Sequence, residues 1–122
     1  MPTESISVNK IHDILLVTVP TNPDDHTITL LQEKVLAAME RYEVKGLVLD
    51  ISTVETLDSF FARTILETAQ MVRLMGGRTV VAGMRTSVAI TATQLGLVFR
   101  DLRTALDVDG ALDILNSRSS WR

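Results

Sequence analysis

Apolar and polar residues alternate with period two at Ile6 and Val8, and then apolar residues run together from Ile14 to Val19 (ILLVTV), a buried strand stopped by Pro20 and Pro23. The two segments read as an antiparallel start. Asp24 and Asp25 open a helix whose apolar positions Ile28, Leu31, Val35, Ala38 and Tyr42 form one face of a 3.6-residue period, with Gln32, Glu33, Glu40 and Arg41 elsewhere. Gly46 marks its exit. Leu47 to Ile51 (LVLDI) is a short apolar run of the kind expected for a central parallel strand, with Asp50 near its C-terminal end. A second helix is predicted from about Asp58 to Met75, closed by Gly76 and Gly77. Thr79 to Ala82 (TVVA) reads as a strand and Thr86 to Leu95 as a third helix ending at Gly96. Thr104 to Val108 follows as a weak edge strand, and Gly110 to Leu115 as a last helical turn or two. Strands alternating with helices in this way predict an α/β layer, a mostly parallel sheet with right-handed crossovers and one antiparallel edge.

Composition narrows the partners. The 122 residues, 46% hydrophobic, suit one domain over 1–122 with a single core. Twelve basic and fifteen acidic residues are dispersed, a net charge of −3, so no basic stripe faces nucleic acid. Aromatics are 4%, with the one tryptophan at Trp121, which leaves few stacking platforms for bases or sugars. The absence of cysteine excludes disulfides and thiolate chemistry and fits a reducing compartment. No signal-like start and no run of about 20 apolar residues occurs. A cytoplasmic protein, with no membrane association, is expected.

Catalytic chemistry finds little purchase. His12 and His26 sit on opposite sides of a strand, without a second ligand at metal spacing. The acids of Asp24-Asp25-His26 suit the first turn of a helix, where capping and the macrodipole favour them. Asp107 and Asp109 pair near a strand end, yet no nucleophile or base accompanies them in sequence. No GxSxG, GxxxxGK[ST] or GxGxxG motif is present. No catalytic residue, cofactor or metal site is expected.

The segment Glu55-Thr56-Leu57-Asp58-Ser59-Phe60-Phe61 carries a different possibility. It joins a buried strand to a helix, and Asp58 and Ser59 fall where backbone N–H groups lack intrahelical partners. Both are favoured N-cap residues, and one can cap while its neighbour is modified. The glutamate or glutamine that would complete a capping box is absent, since Phe61 and Ala62 occupy the two matching positions. At 100° per residue Phe61, Ile65, Ala69 and Val72 face the core, whereas Ser59, Arg63, Glu67 and Gln70 face away. Leu66 and Leu74 fall in that outward half and Phe60 on its flank, so a protein-binding surface is expected beside Ser59.

At these residues the sequence resembles the STAS family, the sulfate-transporter and anti-sigma-factor-antagonist domain, in which a strand, an Asp-Ser or Asp-Thr pair and a helix follow one another. The resemblance is carried by LVLDISTVETLDSFFAR and LMGGRTVVAGMRTSVAITATQLGL, about half of the chain, with the order of elements agreeing over nearly all of it. It implies a STAS fold and, among its members, a likeness to the small stressosome scaffolds. The partners it implies are an RsbR-type co-antagonist and an RsbT-type serine kinase, held until it phosphorylates the scaffold, in a large hetero-oligomer. The phosphorylated serine of the family pattern falls on Ser59. Co-antagonists carry threonine there and an added N-terminal sensor domain, for which this chain has no room. A second phosphorylated position, near the start of the third helix, falls among Thr86, Ser87 and Thr91, with Thr86 named for its place at a helix start and Arg85 as a contact residue. Asp58, Phe60, Arg63, Leu66, Glu67 and Leu74 complete the implied partner-binding set. Two other roles within the family stay open: a free anti-anti-sigma factor, and a STAS accessory subunit of a membrane transporter.

Overall fold

A computed structural model of the chain describes residues 6–97 and 100–117, and Trp121 lies outside them. Strands β1 (Ser7–Ile11) and β2 (Ile14–Thr18) form an antiparallel hairpin in which Ile11 pairs with Ile14 across a two-residue turn. His12 takes φ 56° there, a region that histidine enters more readily than most residues. Helix α1 (Asp25–Arg41), strand β3 (Gly46–Asp50), helix α2 (Ser59–Leu74), strand β4 (Arg78–Ala82), helix α3 (Thr86–Gln94), strand β5 (Leu102–Ala105) and helix α4 (Val108–Asn116) follow.

The sheet order is β1-β2-β3-β4-β5, antiparallel at the first pair and parallel from β2 onward. Each crossover after β2 advances one strand in the same direction, and right-handed crossovers taken that way set α1, α2 and α3 on one face. The period-two alternation of the strands sorts the core accordingly. Leu15, Val17, Leu47, Leu49 and Val81 pack with Ile28, Val35, Phe61, Ile65 and Val88 from those helices. Ile14, Val48, Val80 and Ala82 point to the other face, where Ala111 and Leu115 of α4 cover them. Burial on both faces explains why β3 reads as an unbroken apolar run.

The register aligns Thr18, Asp50, Ala82 and Ala105 in one row, so β2 to β5 end together and the segments entering α2 and α3 leave from one edge. Helix α2 stops at Gly76, φ 93°, whose N–H donates to the Arg73 carbonyl at 3.0 Å while Gly77 N–H reaches Val72 at 2.9 Å. These bonds satisfy carbonyls that the helix end would leave open.

Two expectations need correction. The edge strand lies at Leu102–Ala105, not at 104–108: Asp107 caps α4, accepting from Gly110 N–H at 2.8 Å, and Val108 is the first helical residue. Tyr42 is not on the buried face of α1. It is the extended, exposed residue that ends the helix, and Met39 fills the core position below it.

Candidate functional site

The connection from β3 to α2 is pinned before the helix begins. Ile51 N–H donates to Ala82 O and Val54 N–H to Ile51 O, each at 3.0 Å, and the Thr53 hydroxyl donates to Val19 O at 3.3 Å. Val54 is wholly buried and Leu57 nearly so, two apolar anchors on either side of the exposed Glu55 and Thr56. The loop after β4 approaches closely: a Cβ on Gly83, which has φ 79°, would stand 2.8 Å from the Ser52 Cβ. Glycine is required there on both counts.

Asp58 and Ser59 divide the work at the helix entrance. Asp58 is the N-cap, in extended conformation, and its Oδ1 accepts from Phe61 N–H at 2.8 Å. Ser59 is the first helical residue; its side chain is exposed, and its hydroxyl has no hydrogen-bond partner among the described residues. The first turn of α2 thus offers a free hydroxyl at the positive end of the helix dipole, on a backbone that another side chain already holds.

A groove of about 280 Å³ adjoins this hydroxyl, lined by Ser59, Ala62, Arg63, Leu66, Leu95 and Leu97. The expected arc of exposed apolar residues is replaced by this groove. Leu66 and Phe60 are half-buried and pack against the core, so neither is a solvent-facing patch. Leu74 is 83% exposed, but it sits fifteen residues along α2 from Ser59, about 22 Å at 1.5 Å per residue, beside a separate groove against α1. Arg63 and Glu67 are exposed, as their helical positions predict. The structure therefore brings Ser59, Arg63 and Leu66 together, with Asp58 adjoining, and places Leu74 elsewhere. Leu95 and Leu97, the far wall of the groove, escaped sequence reasoning because they belong to the end of α3, and no local pattern couples them to α2.

Beneath the helix entrance the core leaves a void of only about 10 Å³, lined by residues including Ile51, Leu57, Ala62 and Val88, no more than the room of a single water. The platform that carries Ser59 is close-packed.

The start of α3 lies at the same sheet edge. Arg85 precedes the helix, makes no side-chain cap, and pairs with Glu55 at 3.8 Å, both half-exposed. Ser87 donates to the Glu55 carbonyl at 3.2 Å and Thr91 to the Ser87 carbonyl at 3.0 Å. Thr86 is exposed. The Glu55 segment thus ties the start of α3 to the loop that leads into α2, a link with no signature in the sequence.

The remaining polar candidates are accounted for locally. Asp24 accepts from Thr27 N–H at 2.8 Å, and that bond, foremost, holds its carboxyl below the ordinary aspartate value of 3.8. Asp107 is a cap, as above. Among the described residues no group of three His, Cys, Asp or Glu is placed to hold a metal ion, and no helix is long and apolar enough to cross a membrane.

The STAS domain family matches residues 5–117. RsbT co-antagonist protein RsbRD of Bacillus subtilis (strain 168) is 32% identical over 89 residues, 73% of this chain and 32% of the relative. The chain spans about a third of the length of the co-antagonists it matches. Among solved structures, Moorella thermoacetica RsbS, bearing a serine-to-glutamate substitution, is similar at 32% identity and TM-score 0.79, over 92% of this chain and 95% of that one. A chain from the stressosome, described as a signal integration and transduction hub, is similar at 31% identity and TM-score 0.72, over 89% and 95%. Both share the mixed five-stranded architecture.

Proposed function

The chain belongs to the STAS domain family, and from that premise we propose that it is a non-enzymatic, RsbS-type stressosome scaffold. In this reading it holds an RsbT-type serine kinase and releases it when that kinase phosphorylates Ser59. It assembles in the cytoplasm with an RsbR-type co-antagonist, and the outcome regulates the general stress response. The fold is of the anti-sigma-factor-antagonist and stressosome type. The observation that carries the reading is the free, exposed Ser59 hydroxyl on a helix whose capping is already done by Asp58.

The chemistry is phosphoryl transfer from ATP bound to the kinase. Ser59 Oγ forms a bond to the γ-phosphorus, the bond from that phosphorus to the β,γ-bridging oxygen breaks, and ADP leaves. The hydroxyl proton goes to a base on the kinase. The product carries about −1.5 to −2 charge at pH 7. At the first turn of α2 the helix dipole favours that charge, so the fold is preserved. Against a partner covering Ser59, Leu66 and Leu95, the same charge must be desolvated, so the interface is lost. Phosphorylation then switches association without refolding. Thr86, exposed at the start of α3, is the secondary site in this proposal, and Arg85 a contact beside it.

Incubation with an RsbT-type kinase and ATP, followed by mass-spectrometric mapping, is expected to place phosphate on Ser59. Phosphate elsewhere with Ser59 unmodified would refute the assignment. Mixed with an RsbR-type co-antagonist, the protein is expected to sediment as a particle of megadalton class. Sedimentation only as monomers or dimers would defeat the scaffold reading in favour of a free antagonist.

A further inference from the structure

Ser59 and Arg63 stand four residues apart on α2 and line the same groove. Side chains at that spacing lie one above the other, and helical side chains lean toward the N-terminus, so the turn that carries Ser59 is within reach of Arg63. Most other arginines among the described residues are engaged. Arg73 pairs with Asp101 at 4.0 Å, Arg85 with Glu55 at 3.8 Å, Arg78 donates to the Leu115 carbonyl at 2.8 Å, and Arg41 lies over the Tyr42 ring at 5.6 Å. Arg63 has neither an ion pair nor a hydrogen bond among the described residues, although Glu67 stands one turn further along the same face. An unpaired guanidinium and an unpaired hydroxyl therefore line one groove, one helical turn apart.

Building on the Ser59 reading above, we propose that Arg63 is the intramolecular clamp of the Ser59 phosphate. The planar guanidinium fork matches two phosphate oxygens. The apolar walls from Ala62, Leu66, Leu95 and Leu97 exclude part of the surrounding water, which strengthens the pair relative to an open surface. Of the two carboxylates close to Arg63 in sequence, Asp58 keeps its Oδ1 on Phe61 N–H, and Glu67 makes no ion pair with Arg63 among the described residues. Phosphorylation then has two consequences for a docked partner: it adds a dianion, and it withdraws the Arg63 cation from the surface that the partner covers.

The test installs phosphoserine at position 59 by chemical ligation, so that no kinase is needed, and follows the phosphate by 31P NMR as pH is varied. A free phosphoserine takes up its proton near pH 6. With Arg63 present the midpoint is expected about half a unit lower than in Arg63→Gln, with Arg63→Lys between them. In about 1 M salt the difference should shrink. Identical midpoints in the parent and Arg63→Gln would overturn the clamp. Arg63 is exposed and unpartnered, so unphosphorylated Arg63→Gln should melt with the parent, which separates a charge effect from a folding defect. A kinase that chooses another hydroxyl would defeat the Ser59 reading and leave this titration intact. A flat titration would defeat the clamp and leave kinase mapping intact.

Discussion

Replacing Asp58 and Ser59 separately by alanine tests whether capping and signalling reside on different side chains. Asp58→Ala removes the 2.8 Å bond from Phe61 N–H and leaves one more donor at the start of α2 without a side-chain acceptor. Loss of an N-cap costs about 1 kcal/mol, within a range of about 0.5–2. For 122 residues the entropy of unfolding converts 1 kcal/mol into about 4 °C of melting temperature. Ser59→Ala removes an exposed hydroxyl without a bond, and such changes stay within about 0.5 kcal/mol. Thermal and urea unfolding followed by circular dichroism at pH 7 would read both, with an unchanged urea slope as the check that the native and unfolded states stay comparable. Asp58→Asn should recover most of the loss, because asparagine caps nearly as well. Equal destabilisation by the two alanine variants would refute the division, since Ser59 would then be holding the helix end.

Three further outcomes follow from other positions. Thr79, wholly buried on β4, has a hydroxyl with no hydrogen-bond partner among the described residues, so Thr79→Val should raise stability by about 1 kcal/mol; a loss of that size in urea melts would mean the hydroxyl is satisfied. Gly83→Ala forces a side chain into φ 79° and to 2.8 Å from Ser52, and should cost more than about 1 kcal/mol; an unchanged melting temperature would contradict the close approach. Asp24 has a lowered carboxyl pKa in the folded chain, so its capping contribution is present above the unfolded aspartate value and is lost as pH falls through the folded one. The melting gap between the parent and Asp24→Ala should therefore be full at neutral pH and close in acid; a gap constant across that range would refute the charge dependence.

The elements with strong patterns were legible in the sequence. β3 was readable because both of its faces are buried, and α2 because Phe61, Ile65, Ala69 and Val72 follow the helical period and Gly76 closes it. The outward direction of Ser59 came from the same period. β5 was misplaced because an edge strand of four residues buries only Leu102, whereas Leu106, apolar enough to suggest a strand, is 91% exposed beyond it. Leu66 was misjudged for a related reason: a helical projection contains one helix, whereas this residue packs against the core and shares its groove with Leu95 and Leu97 at the end of α3. Glu55 carries no pattern in sequence, since its importance comes from Arg85 and Ser87 meeting it in space.

Phosphorylation of Ser59 as the release step is tested most directly by titrating an RsbT-type kinase against the unmodified chain and against the chain carrying phosphoserine at 59, with binding read by calorimetry. The unmodified form is expected to bind, and the phosphorylated form to bind at least about tenfold more weakly, a loss of about 1.4 kcal/mol or more. Equal affinity of the two forms would contradict the account.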